Sequence, residues 1–211
     1  MSTYIKVPVQ PEIEAKLFDR HIGQFIDATV VSDFNESILE ELERWPALLE
    51  FLRPLTGTFW ADRKWDWRAM YGKAKYAYPN HVVEFFAVIA EERAQGAMMV
   101  IYPKASMRMK PQQSDVLFVA KIAAAPSNRN HLIGSARRFK GVGKTLMLVA
   151  GARSYELGLN GYVSLLSVSN QHSVDFYTHE MKMMSFAEEV DDEEGMIYFE
   201  NVISEGYIKS D

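Results

Sequence analysis

With 211 residues, 48% of them hydrophobic and 24% charged, the chain has the size and composition of one globular domain with a substantial core. Its formal net charge of −5 disfavours a uniformly basic, nucleic-acid-binding surface but leaves a local basic patch open. The lack of cysteine excludes disulfides and thiolate chemistry, and without a signal-like N-terminus or a membrane-spanning apolar run we expect one cytoplasmic domain over residues 1–211.

Residues 11–80 are predicted to be mostly helical. Pro11 and Glu12 suit the first turn of a helix. The apolar residues that follow have roughly helical spacing, namely Ile13, Leu17, Ile22, Phe25 and Ile26. A strand at 4–9 is counted before this segment as a further β candidate.

A second amphipathic helix is predicted after a turn or cap at 32–35. We expect this helix to kink or break at Pro46 and to end before Pro54. Three of the four tryptophans then fall within eight positions: Trp60, Trp65 and Trp67. We expect this tryptophan cluster to pack in the core, ahead of the alternative that it lines a ligand pocket.

The pattern changes to strands after residue 81. Two apolar runs at 82–90 and 97–102 flank a polar turn and predict a hairpin. A third strand is predicted at 116–124, and its last residues are alanines. Such small side chains leave room beside the backbone for a ligand or for a closely packed helix.

After a polar connector at 127–137, helices and strands alternate. In chain order we expect a helix up to Gly158, a strand at 161–168, a short helix at 170–181 and a hairpin of 184–190 with 196–203. This order predicts a mixed sheet with helices rather than an all-parallel, doubly wound fold.

The segment 138–145 predicts an anion site. Gly141 and Gly143 lie between basic residues and open into an apolar run, which is the pattern of a backbone loop that feeds a helix. Glycine lets the chain approach a bulky phosphate, and the N–H groups and dipole of the first helical turn point at the anion.

Two nucleotide-binding motifs compete for this loop. The Gly-Lys-Thr at 143–145 suggests a P-loop, but its leading glycine would fall at Arg138. A dinucleotide-binding G-x-G-x-x-G would need its third glycine at Leu146. Both motifs are therefore disfavoured.

The remaining pattern is R-x-x-G-x-G, from Arg138 to Gly143. It resembles the pyrophosphate loop of the GNAT superfamily of N-acetyltransferases. The Ala-x-x-Pro at 123–126, where the preceding strand ends, is a second match to that family.

A third match lies in the family pattern N-x-x-A-x-x-F-Y-x-x-x-G-F. It is represented here by Asn170, by Ser173 at the small position, by Tyr177 and by the pair Ser185-Phe186. The resemblance covers about residues 82–200. It implies an α+β fold of the GNAT type, with a mixed, mostly antiparallel central sheet flanked by helices.

The chain departs from the family pattern at three places. Eleven residues separate Pro126 from Arg138, where the family usually has two or three. Ser185 replaces the usual glycine. Ala120 stands about where many members carry a glutamate that acts as base, directly or through water.

The resemblance implies acetyl-CoA as donor substrate. Its pyrophosphate would bind the N–H groups of 142–145, and its pantetheine arm would lie along 122–124 like an added strand. Basic side chains in the loop would add positive charge. The implied contacts are Ile122, Ala123, Ala124, Arg138, Phe139, Lys140, Gly141, Val142, Gly143, Lys144, Thr145, Asn170 and Tyr177.

Tyr177 is the catalytic residue that the resemblance implies, as the acid that protonates the departing thiolate. A backbone N–H at the end of the third strand would stabilise the oxyanion. The alternative for Tyr177 is an aromatic anchor of its helix. The alternative for Asn170 is a helix cap, which is compatible with a place near pantetheine.

The general base is open from sequence. Candidates are Glu84, Asp115, His81 and His172, but a relaying water or an amine that arrives neutral needs no such residue. The histidines are scattered and thiolates are absent, so we expect no metal site.

The expected function is N-acetyl transfer to a primary amine by direct attack on the thioester. Residues 11–80 would form the acceptor side and 82–203 the core that binds acetyl-CoA. A small molecule, a protein amine and an aminoacyl-tRNA are all open as acceptors, the last less favoured because of the acidic charge balance. A homodimer is also open. The alternative is a non-catalytic acyl-CoA sensor or interaction module, suggested by the missing glutamate.

Overall fold

The structure is a computed structural model that describes residues 12–56, 60–108, 110, 113–129, 138–186 and 195–203. Its strands are β1 (Glu12–Asp19), β2 (Gln24–Ser32), β3 (Val82–Ala90), β4 (Arg93–Ala105), β5 (Asp115–Ala124), β6 (Phe139–Lys140), β7 (Tyr162–Val168), β8 (Met184–Phe186) and β9 (Met196–Val202). Within the described ranges, they form one sheet in the order β6-β1-β2-β3-β4-β5-β7-β9-β8.

Helices cover both faces of this sheet. They are α1 (Glu36–Thr56), α2 (Trp67–Ala77), α3 (Val142–Glu156) and α4 (Gln171–Asp175), with 3₁₀ turns at Ala61–Lys64 and Pro126–Asn128 and a π-helical turn at Phe176–Glu180. Alternate residues of each strand point to opposite faces. Val100 and Leu117 thus pack with α3 on what we call the α3 face, while Met99 and Ile101 pack with α1 and α2 on the α1 face.

The sheet is antiparallel except between β5 and β7, which run parallel from Leu117↔Val163 to Val119↔Leu165. This arrangement confirms the predicted mixed, mostly antiparallel sheet flanked by helices. Beyond Val119 and Leu165 both strands continue, β5 paired only with β4 and β7 only with β9. A gap in the sheet therefore opens between β5 and β7.

The prediction of helix over the first part of 11–80 is wrong. Residues 12–32 form the antiparallel hairpin of β1 and β2, joined at a turn where Gly23 has a φ of +69°. Ile13, Ala15 and Leu17 alternate with charged residues and point toward the α3 face. That period of two is the strand signal, and it outweighs a helical spacing that some of the same residues also satisfy. The strand predicted at 4–9 lies outside the described residues.

The predicted end of the second helix is also wrong. Asn35 caps α1 as expected, its side chain accepting from the Ile38 N–H at 2.9 Å, but α1 continues through both prolines to Thr56. Leu42, Trp45 and Leu49 are buried against the sheet along this helix. Their burial offsets the cost of about 3 kcal/mol for an internal proline.

The tryptophan cluster packs largely as predicted. Trp67 is buried at the start of α2 against Phe34, with ring centroids 6.0 Å apart, and Trp60 is buried before the first 3₁₀ turn. Trp65 is half-buried and meets Trp67 edge-on.

The later elements follow the predictions closely. The hairpin of β3 and β4 is confirmed, although its turn is tighter than expected, with Glu91 and Glu92 both at positive φ. The final hairpin of β8 and β9 is confirmed as antiparallel. Of the connector predicted at 127–137, residues 130–137 lie outside the described ranges.

Candidate functional site

The gap between β5 and β7 is shaped by a bulge in β5. Met99 pairs with Lys121 but Val100 pairs with Val119, so Ala120 is an extra residue on β5. A bulge of this kind bends the strand and increases its twist. It lies directly after the last pair with β7, and it explains why the two strands part at this point.

The backbone of β5 offers hydrogen-bonding groups to this gap. The Ala125 N–H donates to Gln95 O on the β4 side at 2.8 Å. Because these groups alternate in direction along a strand, the N–H and C=O of Ile122 and Ala124 point toward the gap. The Ala124 carbonyl accepts from the Arg129 guanidinium at 2.8 and 3.1 Å, so an incoming chain would pair chiefly with Ile122.

The glycine loop confirms the predicted start of a helix. Gly141 is the N-cap of α3 with a φ of +101°, a conformation that favours glycine, and the Thr145 N–H makes the first helical bond, 2.8 Å to Gly141 O. The N–H groups of residues 142–144 precede that bond. The Val142 side chain packs closely against Gly96 of β4, because a Cβ at Gly96 would lie 2.4 Å from it. This contact holds the loop against β4.

Arg138 carries a positive charge that is already compensated. Its guanidinium bonds the Glu91 carboxylate and contacts Asp19 Oδ2 at 3.2 Å. The hydrogen bond to Glu91, followed by that to Asp19, raises the pKa of Arg138. The electrostatic attraction of this loop for an anion therefore depends less on Arg138 than on its backbone N–H groups.

Phe139 and Lys140 belong to the short strand β6, which pairs with β1. Phe139 is buried, and its N–H donates to Asn128 Oδ1 at 3.0 Å. Its side chain therefore holds the loop in place, while Lys140 is exposed.

Tyr177 lies on the α3 face, inside the π-helical turn. It is 6% exposed and packs between Phe176 and Phe199, each ring centroid 5.0 Å away. Burial raises the pKa of Tyr177 to about 12, against a smaller opposing effect of a hydrogen bond with Ser167. Ser167 lies on β7 beyond the last pair with β5, so the phenol reaches the β7 wall of the gap.

Two other predicted residues lie near this wall. Asn170 caps α4, its side chain accepting from the Ser173 N–H at 2.9 Å, which matches the capping alternative. Gly143 faces Phe176, because a Cβ at that position would lie 3.4 Å from the ring. The first turn of α3 and the helix that carries Tyr177 therefore meet beside the gap.

The four sequence candidates for a base do not converge on the gap. The Glu84 carboxylate accepts from Arg153 at 2.8 and 2.9 Å and from Tyr102 at 2.5 Å, inside the core of the α3 face. His81 packs edge-on against Tyr78, and His172 is exposed on α4. Asp115 begins β5 at the end away from the bulge.

Two further basic residues lie on the α1 face of the gap. Lys121, at the bulge, which the sequence did not single out, places its Nζ 4.6 Å from the centre of the Trp65 ring. Arg129 joins the Ala124 carbonyl to the Asp62 carboxylate, at 2.5 and 2.8 Å from its oxygens. From sequence, the charge of Arg129 is ascribed to a phosphate-rich cofactor, whereas the structure pairs it with Asp62.

Glu200 is a further residue that the sequence reasoning missed. It lies fully buried on β9 beside Tyr198, and both point to the α1 face because Phe199 between them points to the α3 face. A charged residue within an otherwise apolar strand was the available signal.

Two absences concern the described part of the chain alone. No group of three or more His, Asp or Glu residues is arranged to hold a metal ion there. None of its helices combines the length and apolar character that crossing a membrane requires.

Together with the helices around it, the sheet divided between β5 and β7 defines the GNAT fold, which solved structures share over most of the chain. The GNAT domain of S. lividans PAT matches with a TM-score of 0.58 and 12% identity, covering 93% of this chain and 99% of that one. A GNAT-family acetyltransferase from Staphylococcus aureus Mu50 matches with a TM-score of 0.53 and 12% identity, over 84% and 99%. One from Listeria monocytogenes 4b F2365 matches with a TM-score of 0.50 and 9% identity, over 82% and 94%.

At the level of sequence, by contrast, no protein-family model and no curated protein matches the chain.

Proposed function

We propose that the protein is an N-acetyltransferase that moves an acetyl group from acetyl-CoA to a primary amine by direct attack on the thioester. The observation that carries this proposal is the gap between β5 and β7, which has hydrogen-bonding backbone on one wall, Tyr177 at the other and the first turn of α3 beside it. Each part suits one portion of the donor.

The donor would bind mainly through the backbone. Its pyrophosphate meets the N–H groups of residues 142–144, since the N–H of Thr145, which the resemblance also implied, is bonded to Gly141 O. Its pantetheine arm pairs with the N–H and C=O of Ile122 in the manner of an added strand. The small side chains of Ala123 and Ala124 keep this edge of β5 accessible.

Tyr177 would act as the acid. Its pKa of about 12 keeps the phenol protonated at neutral pH, as a proton donor to the departing thiolate must be. An isolated thiol has a pKa near 8.5, so the Tyr177 phenol is a weaker acid than the thiol that it forms. Proton transfer to the thiolate is therefore driven by breakdown of the tetrahedral intermediate rather than by the acid strength of the phenol.

One observation favours a non-catalytic acyl-CoA sensor instead. Ala120, at the bulge, brings no carboxylate to the position beside the expected thioester. A sensor would bind acetyl-CoA in the same gap and release no CoA.

Calorimetry tests the donor site. Wild type should bind acetyl-CoA and Gly143→Glu should not, because the new side chain would press on Phe176 and place a negative charge where the pyrophosphate is expected. Gly72→Glu is the matched control, since a side chain at Gly72 on α2 meets nothing within 4 Å. Undiminished binding by Gly143→Glu would exclude this site.

An acceptor screen scored by free CoA then tests catalysis. Tyr177→Phe should lower kcat by about 10²-fold or more without weakening acetyl-CoA binding, the usual size of a lost acid. If wild type binds acetyl-CoA but releases no CoA with any amine, the sensor is favoured over the enzyme.

A further inference from the structure

A cluster of buried polar atoms lies on the α1 face next to the gap. Glu200 Oε2 accepts from Tyr198 at 2.5 Å and from Ser106 at 2.6 Å. In contrast, Glu200 Oε1 and Arg108 Nη1 are buried without a hydrogen-bond partner among the described residues, and Ser164 Oγ is buried beside the Tyr198 phenol, whose pKa it lowers, without meeting it in a good hydrogen bond. Buried polar atoms are nearly always satisfied, so three such atoms together point to a bound polar molecule.

The three atoms face one another. Ser164 and Glu200 are directly opposite on β7 and β9, which places their side chains side by side on one face. Arg108 Nη1 lies 3.6 Å from Glu200 Oε1, too far for a good hydrogen bond. Its guanidinium is held by stacking 4.4 Å from the centre of the Phe186 ring.

Water fits this set better than an ion. It can donate to the carboxylate, accept from the guanidinium and bond the hydroxyl, and buried waters typically make about three such bonds. A cation would be opposed by Arg108 and an anion by Glu200. A fourth hydrogen bond of the water stays available to a neighbour.

The cluster lies close to the expected reaction centre. Ser164 pairs with Phe118, and Tyr198 lies opposite Leu166, the first residue of β7 beyond the last pair with β5. At about 3.3 Å per residue along a strand and about 4.8 Å between strands, the Ser164 backbone lies about 8 Å from the bulge and the Glu200 backbone about 12 Å from it. It also lies on the face opposite Tyr177, where the acceptor would approach.

Resting on the proposed function, we propose that Glu200, Ser164 and Arg108 hold one buried water, through which Glu200 takes the proton that the acceptor amine loses. In that step the amine nitrogen bonds to the acetyl carbon and the carbon–sulfur bond breaks. Before this attack, the ammonium form of the amine passes one proton through the water to the Glu200 carboxylate. After it, the thiolate takes the Tyr177 proton, and the Tyr177 phenolate takes the second proton, which the attacking nitrogen loses. Glu200 acts through the water and is thus a positioning residue.

The groups that face Glu200 are few. Among the residues that the structure describes, the titratable and charged groups shown in contact with Glu200 are Tyr198 on its own strand and Arg108 after β4. Ser164 on β7, Ser106, and Met184 and Phe186 on β8 complete the surroundings. The guanidinium has no acceptor atom, and burial raises the pKa of Tyr198 so that its phenol keeps its proton at neutral pH, which leaves the carboxylate as the acceptor of this cluster.

The test is the pH profile of CoA release by Glu200→Gln. At a pH below the pKa of the amine, kcat should fall by about 10²-fold with the KM for acetyl-CoA unchanged. The loss should shrink as the pH approaches the amine pKa, because a neutral amine needs no proton acceptor before it attacks. A purely structural role would lower the rate equally at all pH values, and that result would overturn the inference.

Glu84→Gln is the matched control, since Glu84 is also a buried carboxylate bonded to a tyrosine and an arginine, but on the α3 face. It should leave the shape of the pH profile unchanged. If Glu200→Gln does not fold, Ser164→Ala keeps the carboxylate and both of its donors, and should show a weaker form of the same pH-dependent loss.

A high-resolution crystal structure tests the water independently of activity. An ordered water within hydrogen-bond distance of all three atoms is expected, and a dry site or a direct bond between Arg108 and Glu200 would overturn the inference. A wild type that releases no CoA with any amine overturns the proposed function, and the water is then judged by the crystal structure alone. A normal wild-type rate with a parallel Glu200→Gln profile defeats only the inference.

Discussion

Two buried clusters on opposite faces of the sheet use the same three residue types but are completed differently. On the α3 face, Glu84 accepts hydrogen bonds from Tyr102 and Arg153, and both of its carboxylate oxygens are bonded. On the α1 face, Glu200 receives Tyr198 on one oxygen, while the other oxygen and Arg108 Nη1 are left unsatisfied. A completed cluster stabilises, whereas an incomplete one keeps capacity for a ligand or a proton.

The largest difference is expected when each arginine is removed. Arg153→Met leaves the Glu84 charge buried without its ion-pair partner, which should cost about 3–5 kcal/mol of unfolding free energy. Arg108→Met also removes the ion-pair partner of a buried carboxylate, at 3.6 Å, but should cost less, since Arg108 makes no hydrogen bond to Glu200, which keeps its bonds to Tyr198 and Ser106. Urea denaturation of both variants measures this, and equal losses would remove the distinction between the clusters.

Alkaline pH tests the buried tyrosine beside the gap. The pKa of Tyr177 is raised to about 12 in the folded state, against about 10 when unfolded, so the folded protein holds this proton more tightly. Its contribution is complete below pH 10 and is lost as the pH rises through 12. Between pH 10 and pH 12, the free energy of unfolding of wild type should fall by about 2–3 kcal/mol more than that of Tyr177→Phe.

Denaturation at pH 9, 10.5 and 12 supplies this measurement. Tyr198→Phe is the counterpart on the α1 face, where burial and the bond to Glu200 raise the pKa of Tyr198 in the same direction. If the unfolding free energies of wild type and Tyr177→Phe change equally with pH, the Tyr177 phenol is accessible to solvent.

Glycine substitutions compare the packing of the two faces. Gly96→Ala should destabilise by about 1–3 kcal/mol, because its Cβ would lie 2.4 Å from Val142 and 3.1 Å from Leu146, and α3 would have to shift. Gly72→Ala on α2 should instead stabilise by about 0.5–1 kcal/mol, since alanine favours an open helix position. Thermal unfolding distinguishes the two signs, and a stabilising Gly96→Ala would contradict the close seating of the glycine loop.

The part of the fold that follows residue 81 could be predicted from the sequence. Its strands are long apolar runs separated by polar turns, and the glycine loop is a local pattern of Arg138, Gly141 and Gly143. The first hairpin was missed because Ile13 and Leu17 fit both a period of two and a helical spacing of four. The length of α1 was missed because burial of Trp45 and Leu49, which the sequence cannot weigh, outweighs the cost of its prolines.

The site was less predictable than the fold. The residues proposed to bind the donor are local in sequence, and the loop, the end of β5 and Tyr177 meet around one gap. The polar cluster of Glu200 depends on Ser164, Arg108 and Ser106, which are far apart in the chain and have no common motif. Packing decides which carboxylate keeps an oxygen without a hydrogen-bond partner. The sequence carries no sign that Glu84 pairs with Arg153.

Arg129 has a consequence for the order of events. Its guanidinium ties the Ala124 carbonyl to Asp62, and so fixes the turn before α2 to the end of β5 through contacts of the protein alone. A cleft assembled in advance avoids the entropic cost of ordering a loop during binding. For the proposed acetyl transfer, neither substrate then has to form the site for the other. The order in which acetyl-CoA and the amine bind would depend only on whether one of them blocks the path of the other into the gap.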